Sequence, residues 1–478
     1  MSFLRLLSKR SVKILRKTLT GLGIDRALAY SIALRLFQLI AGIGSLVLIA
    51  RHLTAAQQGF YFTYGSILGL QVFFDLGLSA VISQFASHEM VLLTFTHENT
   101  LQGCSEARER IASLLRMALR WYSWAALLLI VGLLPSGLGF FAQSKDAGSV
   151  GHWEWAWAWL AIAAAGSLAT SPILSLIEGC GQVAEIALIR TIQELCAYAV
   201  LWWALTLGLG LFSVSIFQTT RLVVVIVWLL GKRRKFIFEL LSCAKTSNSF
   251  KWWVHIWPLQ WKIALSWLCG YFIFQIFNPV LFHYQNAEVA GRMGMSLAAT
   301  GAISSIAIAW VGTKYPKFGM LVATRDFVSL DALFFRSFLQ SMFVIVSGAA
   351  SCWLIIYYLH YYHYPFSERI LDPLTFAILL GATCANHVVS CFAIYLRAHK
   401  QEPFLIISII SGFCVSVSAV LLAPRYGAFG ISLGYLTNCI LVGLLGGTWI
   451  FTVKRREWHR NETGVSASPS STVAYKPQ

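Results

Sequence analysis

Apolar stretches recur along almost the whole chain, each closed by a short polar connector. A bilayer's hydrocarbon layer takes ~20 helical residues to cross. The pattern predicts about twelve membrane-spanning helices, at 29–51, 59–85, 113–135, 154–178, 183–208, 211–231, 253–280, 288–312, 334–359, 373–396, 403–423 and 427–453. Read as domains, these give an amphipathic N-terminal segment (1–28), a six-helix lobe (29–231), a basic linker (232–252), a second six-helix lobe (253–453) and a disordered tail (454–478). The fold class that follows is an all-α membrane protein, two lobes around a central cavity.

The connectors alternate in charge. Bases crowd the N-terminus, the connectors holding Arg108 and Arg110, Lys232 to Lys235, Lys314 and Lys317, Arg397 and Lys400, and the C-terminus. The connectors between them hold few: Arg51, Lys145, Arg369 and Arg425. By the positive-inside rule, both termini of this multi-pass protein are expected to be cytoplasmic.

Composition narrows the class further. Only 12% of residues are charged, about half the share in a soluble domain, which excludes one. The net charge of +17 would suit nucleic acid, but the bases are spread over short connectors and not over one face, which argues against that partner. Ten cysteines are scattered without a CxxC pair, so neither a disulfide framework nor a cysteine metal site is expected. Cys384, His387 and Cys391 share a helix face, yet no fourth ligand accompanies them and no metal or other cofactor is expected. Trp153, Trp155, Trp157 and Trp159, and the tyrosines between 357 and 364, read as interfacial belts, with stacking on sugar rings as the alternative.

A weak internal repeat aligns residues 55–69 with 287–301, placing Gly59 on Gly291 and Ala55 on Ala287. Six helices per half would relate the lobes by an axis along the membrane normal.

Charge inside the spans carries the functional signal. Arg35, Arg190, Arg221, Lys262 and Arg292 lie within apolar runs, against Asp75 and Glu194. Charge at membrane depth costs a few kcal/mol unless it faces a cavity or a partner. Five bases against two acids predict a net-positive cavity and an anionic cargo, the bases serving as substrate-binding residues. Asp75 and Glu194 are the candidates for ion coupling; Arg190 and Glu194, four residues apart, could instead pair along one helix. Pro258 and Pro172 are candidate hinges, because a mid-helix proline frees a carbonyl and permits a kink. No GxxxxGK[ST] loop is present, so ATP hydrolysis by this chain is not expected.

The stretch LIARHLTAAQQGFYFTYGSILGLQVFFDLGLSAVISQ resembles the first two helices of bacterial polysaccharide flippases, within the multidrug/oligosaccharidyl-lipid/polysaccharide exporter superfamily. Leu53, Thr54, Gly59, Tyr61, Asp75, Gly77 and Leu78 carry the likeness, and Ala290-Gly291 and Lys314-Tyr315-Pro316 extend it loosely. The resemblance implies alternating access by two lobes. It implies movement of an undecaprenyl-pyrophosphate-linked O-antigen or exopolysaccharide unit from the cytoplasmic to the periplasmic leaflet, with membrane lipid and polysaccharide polymerase or assembly proteins as partners. It implies that central cations bind the head group, a role carried to Arg190, Arg221 and Lys262, and further to Arg35 and Arg292. Two other functions stay open: an ion-coupled drug or metabolite antiporter of the same superfamily, which would want acid in its cavity, and a membrane glycosyltransferase or O-antigen polymerase. The last needs acid/base residues in a large outer loop, and Glu368 and Asp372 are the only close acid pair in the outward connectors.

Overall fold

The computed structural model describes residues 26–96, 100–243, 257–399 and 401–465. Residues 1–25 of the amphipathic segment expected at 1–28, and 244–252 of the expected 232–252 linker, therefore lie outside the described residues, while the linker's first part is helical to Ser242. The chain is an all-α, multi-pass membrane fold. Its first helices are α1 (Arg26–His52), α2 (Ala55–Asp75), α3 (Leu78–Leu92), α4 (Ser105–Ala142), α5 (Trp153–Gly179), α6 (Val183–Thr206) and α7 (Phe212–Ser242). Then follow α8 (Trp257–Phe274), α9 (Phe277–Tyr284), α10 (Ala287–Gly312), α11 (Tyr315–Ala323), α12 (Phe327–Tyr361), α13 (Pro373–Ala398), α14 (Leu405–Asn438) and α15 (Gly447–Val465). Two passes are broken. A left-handed Leu76-Gly77 pair bends α2 from α3 by 43°, and Gly427 interrupts α14. Counting α2 with α3, α8 with α9, α10 with α11, and α14 as two passes of which α15 continues the second, gives twelve passes in the described residues.

Seven described helices are long and apolar enough to cross a membrane by composition alone, eight with the bent pair. Helix α6 is not among them, because Glu185, Arg190 and Glu194 lower its apolarity. The connector after α3 holds a small antiparallel hairpin, β1 (Leu93–Phe95) and β2 (Leu101–Gly103), pairing Thr94 with Gln102, which the apolar pattern does not announce. At the other end, α15 continues to Val465, through the start of the segment read as a disordered tail; residues 466–478 lie outside the described residues.

The chain divides into two compact units, Met1–Tyr271 with Leu281–Met295, and Phe272–Val280 with Ser296–Gln478. In the first, α5 packs against α3, α4 and α7, while α6 packs against α1 and α7. Small side chains allow these helices to approach. Ala156, Ala161, Ala164 and Ala165 of α5 are buried, and Gly137 of α4 leaves the space that the Trp157 ring fills. The Trp comb thus splits: Trp153 and Trp157 enter an aromatic core with Phe60, Tyr64 and Phe141, while Trp155 and Trp159 stay exposed.

Helix α2 starts with a capping box, Thr54 Oγ1 accepting from the Gln57 amide while Gln57 Oε1 accepts from the Thr54 amide. One turn on, Gly59 meets α10 so closely that a Cβ would overlap the Ala287 carbonyl. Gln58 Nε2 donates to Gly291 O at 2.9 Å, and Gly291 faces the Gly59 amide. The two glycines aligned by the internal repeat are therefore direct neighbours.

The second unit has a core of Phe334, Phe392, Tyr395 and Phe451 from α12, α13 and α15. Each unit contains a π-helical stretch followed by a basic helical segment: Leu229–Arg233 within α7, and Cys439–Gly446 leading into α15. In each region an arginine meets an acid. Arg233, 1% exposed, pairs with Glu185 beneath the Phe95 ring. Arg455 pairs with Asp331, which also accepts from Tyr395 Oη at 2.8 Å.

Candidate functional site

Six passes of the first unit enclose a cavity of about 490 Å³. Helix α1 contributes Gln38, α2 Gln71 and Asp75, α5 Ser167, Thr170 and Ser171, and α8 Trp267. Helices α6 and α7 contribute Arg190, Gln193 and Glu194, and Gln218 and Arg221. Leu34, Leu168, Leu174, Leu222 and Val225 complete the wall. Four of the charged residues singled out in the sequence thus share one hollow: Asp75, Arg190, Glu194 and Arg221.

Their pairing differs from the helical spacing. Arg190 does not pair with Glu194. Its Nη2 bonds Glu178 Oε2 at 2.8 Å, and Glu194 Oε1 bonds Arg221 Nη2 at 3.0 Å. Both bridges join neighbouring helices, α5 to α6 and α6 to α7, so they fix helix positions as well as neutralising charge. Glu178 is the partner that sequence reading missed. It closes α5, and the turn through Gly181, in the left-handed region, returns the chain so that Arg190 comes beside it. Arg221 keeps donors beyond its bridge: Nη1 lies 3.4 Å from Gln218 Oε1, and Nε is buried without a hydrogen-bond partner. Arg221 and Arg190 are 36% and 46% exposed, so guanidinium surface remains open to the hollow after pairing.

The expected net-positive lining is not what the described residues form. Two arginines face two acids in the wall, and Glu178 adds an acid behind Arg190. Of the five bases, Arg190 and Arg221 line the hollow and Arg292 does not, because depth in a helix does not fix the face a side chain takes. Arg292 is outside the hollow and pairs with Glu288 on its own helix at 2.5 Å. The side chains of Arg35, Lys262 and Pro258 lie outside the described residues.

Asp75 sits at the break between α2 and α3. Its Oδ1 accepts from Tyr122 Oη of α4 at 2.5 Å and from Ser79 Oγ, across the break, at 2.7 Å. Trp121 Nε1 donates to the Phe74 carbonyl at 3.3 Å, one of the carbonyls that the break leaves without a helical donor. Pro172, proposed as a hinge, is buried within an uninterrupted α5. The described bend nearest the charges is at Leu76-Gly77, where no proline stands.

In the second unit, His387 Nε2 lies 2.7 Å from Ser341 Oγ, which donates to the Ala307 carbonyl at 2.6 Å, and 3.6 Å from Cys391 Sγ. The histidine bridges α13 to α12 as a packed polar contact. Among the described residues no group of three metal-ligating side chains comes together.

No protein-family model matches the sequence, and no curated protein matches it. Solved structures do. An inward-facing multidrug resistance MATE family transporter of the MOP superfamily aligns over 88% of this chain and 99% of its own, at 13% identity and TM-score 0.55. The lipid II flippase MurJ, in an inward closed conformation, aligns over 89% and 87%, at 14% identity and TM-score 0.59. A MOP superfamily transporter from Pyrococcus furiosus, described by the reverse polarity of its binding pocket, aligns over 91% and 97%, at 14% identity and TM-score 0.53. At such identities the likeness is one of fold: the chain has the fold of MOP superfamily transporters.

Proposed function

We propose that this protein is a flippase for a lipid-linked oligosaccharide of the undecaprenyl-pyrophosphate type. It acts in the inner membrane with both termini cytoplasmic. The observation that carries the reading is the hollow in the first unit, where two partly open arginines stand among glutamines, serines and a threonine. Guanidinium groups recognise phosphate oxygens through paired donors. Amide and hydroxyl side chains both donate and accept, which suits sugar hydroxyls. Arg190 and Arg221 take the diphosphate by exchanging part of their carboxylate contacts for phosphate contacts, with Lys262 and Arg35 as further cations. Gln38, Gln71, Gln193 and Gln218 take the proximal sugar. The fold likeness to a lipid II flippase supports movement of a head group without bond making or breaking.

Charge balance in the described lining favours one other reading, an ion-coupled antiporter of the same superfamily. There Asp75 and Glu194 would exchange a cation for cargo, and the fold likeness to a multidrug transporter supports it.

Purified protein in proteoliposomes, loaded with fluorescent undecaprenyl-diphosphate glycan, tests the choice. The flippase moves the lipid between leaflets, and an Arg190→Ala, Arg221→Ala, Lys262→Ala variant that folds loses at least about tenfold in rate, the worth of one charge-assisted contact. Undiminished movement by that variant sinks the electrostatic reading. Export of organic cations driven by a proton or sodium gradient, without lipid movement, selects the antiporter.

A further inference from the structure

Helix α12 is 35 residues long. At ~1.5 Å per residue it measures about 52 Å, well beyond the ~30 Å hydrocarbon layer. One end, at Lys314, Lys317 and Arg325, is basic; the other runs into a connector with Glu368, Arg369 and Asp372. Arg336 is exposed and marks the deepest level at which the hydrocarbon can begin on the basic side. A span of ~20 residues from there ends near residue 356, so Tyr357 to Tyr364 lie at or beyond the opposite surface.

Six aromatic rings are gathered at that end. Trp353 is anchored by its Nε1, which donates to the Pro373 carbonyl at 3.0 Å. Trp353 and Tyr357 are near-parallel at 5.4 Å, and Tyr357 and Tyr361 near-parallel at 6.4 Å. On the adjoining face Tyr358 lies 4.4 Å from Tyr362 and near-parallel to Tyr364 at 6.3 Å. The five tyrosines are 48–67% exposed. The loop below them is fixed, since the Tyr364 carbonyl accepts from both the amide and the hydroxyl of Ser367 at 2.8 Å.

An interfacial belt accounts for Trp353, Tyr357 and Tyr358. It does not account for three further exposed tyrosines carried above that level on a rigid helix end. Offset parallel rings present electron-rich faces in steps along the axis. The apolar C–H face of a pyranose packs on such faces, while phenol hydroxyls reach the sugar's hydroxyl rim. Neutral or weakly charged glycan fits a strip in which no residue from 353 to 364 is formally charged.

We propose that the outer end of α12 is a second, glycan-binding platform, on which Tyr357, Tyr361 and Tyr362 stack the distal sugars of the cargo. This rests on the flippase reading above.

Glycan length separates the possibilities. Two probes are reconstituted with the protein: undecaprenyl diphosphate bearing one N-acetylhexosamine, and the same carrier bearing a pentasaccharide. The Tyr357→Ala, Tyr361→Ala, Tyr362→Ala variant is expected to move the short probe at the parent rate and the long probe more slowly, by about 2- to 10-fold for each ring that stacks. The corresponding triple Phe variant, which keeps the rings, retains most of the long-probe rate. Equal slowing of both probes marks a membrane anchor and overturns the platform, as does no slowing of either. Failure of the parent protein to move either probe overturns the flippase reading itself, and the platform with it.

Discussion

The two units contain comparable numbers of helices and fill their interiors differently. The first gathers Asp75, Glu178, Arg190, Glu194 and Arg221 around or behind a hollow of about 490 Å³. The described interior of the second relies on hydroxyls, amides and rings: Ser341 with His387, the buried Ser411, Ser432 and Asn438, and the Phe334 cluster. Ion pairs in low dielectric are poor substitutes for hydrophobic packing as a source of stability, because desolvation offsets much of their attraction. A unit that keeps several of them around open space therefore owes them to something other than folding. Hydroxyls such as Ser341, which meets the Ala307 carbonyl and the His387 ring, are what a helix bundle in lipid uses to stay together.

Several substitutions break or sharpen that contrast. Arg233→Ala should have the largest effect on stability, about 3 kcal/mol, since it removes a buried guanidinium from beneath the Phe95 ring and leaves Glu185 with Lys232 alone. Thermal unfolding in detergent should show it, while transport per folded molecule stays near the parent value, because the pair lies outside the hollow. Arg221→Ala should cost about 2 kcal/mol by leaving Glu194 without its bridge. The paired Arg221→Met, Glu194→Leu change should recover stability without recovering transport; recovery of both would reduce the bridge to scaffolding. Ser341→Ala in the second unit should cost about 1 kcal/mol through two lost hydrogen bonds of modest net worth. Loss of transport at unchanged stability in that variant would erase the contrast between the units. Asp75→Asn should be mildest in stability, below about 1 kcal/mol, since the amide oxygen still accepts from Tyr122 and Ser79. Its use is diagnostic: transport that no longer responds to an imposed proton or sodium gradient would assign coupling to this carboxylate.

Much of this was legible from the chain itself. Long apolar runs and alternating connector charge give the passes, because the bilayer imposes both. Asp75 and Arg221 stand out as single charges in apolar runs, Arg190 and Glu194 as charges deep in another, and the structure gathers them. Pairing was not legible. Glu178 looks like the end of a span, and only the Gly181 turn carries it to Arg190. Arg292 shows the converse, a conspicuous base satisfied one helical turn away by Glu288. The bend was also missed, since proline drew attention to Pro172, whereas the signal was the Asp75-Leu76-Gly77 triplet: a carboxylate followed by two residues in the left-handed region. Glycine adopts that region freely, and Leu76 adopts it at a cost that the Tyr122 and Ser79 contacts help to offset.

The π turn at Leu229–Arg233 has a consequence for how α7 is read along its length. Each added residue rotates everything after it by ~100° about the helix axis. The wide turn accommodates such an excess, so the angular phase of the basic end is decoupled from that of the stretch bearing Gln218 and Arg221. Deleting Gly231 would remove no side chain, yet it would swing Arg233 off Glu185 and turn the whole cationic end toward a different quarter of the membrane surface. Orientation at this boundary is thus set by a tally of residues, and no single side chain specifies it.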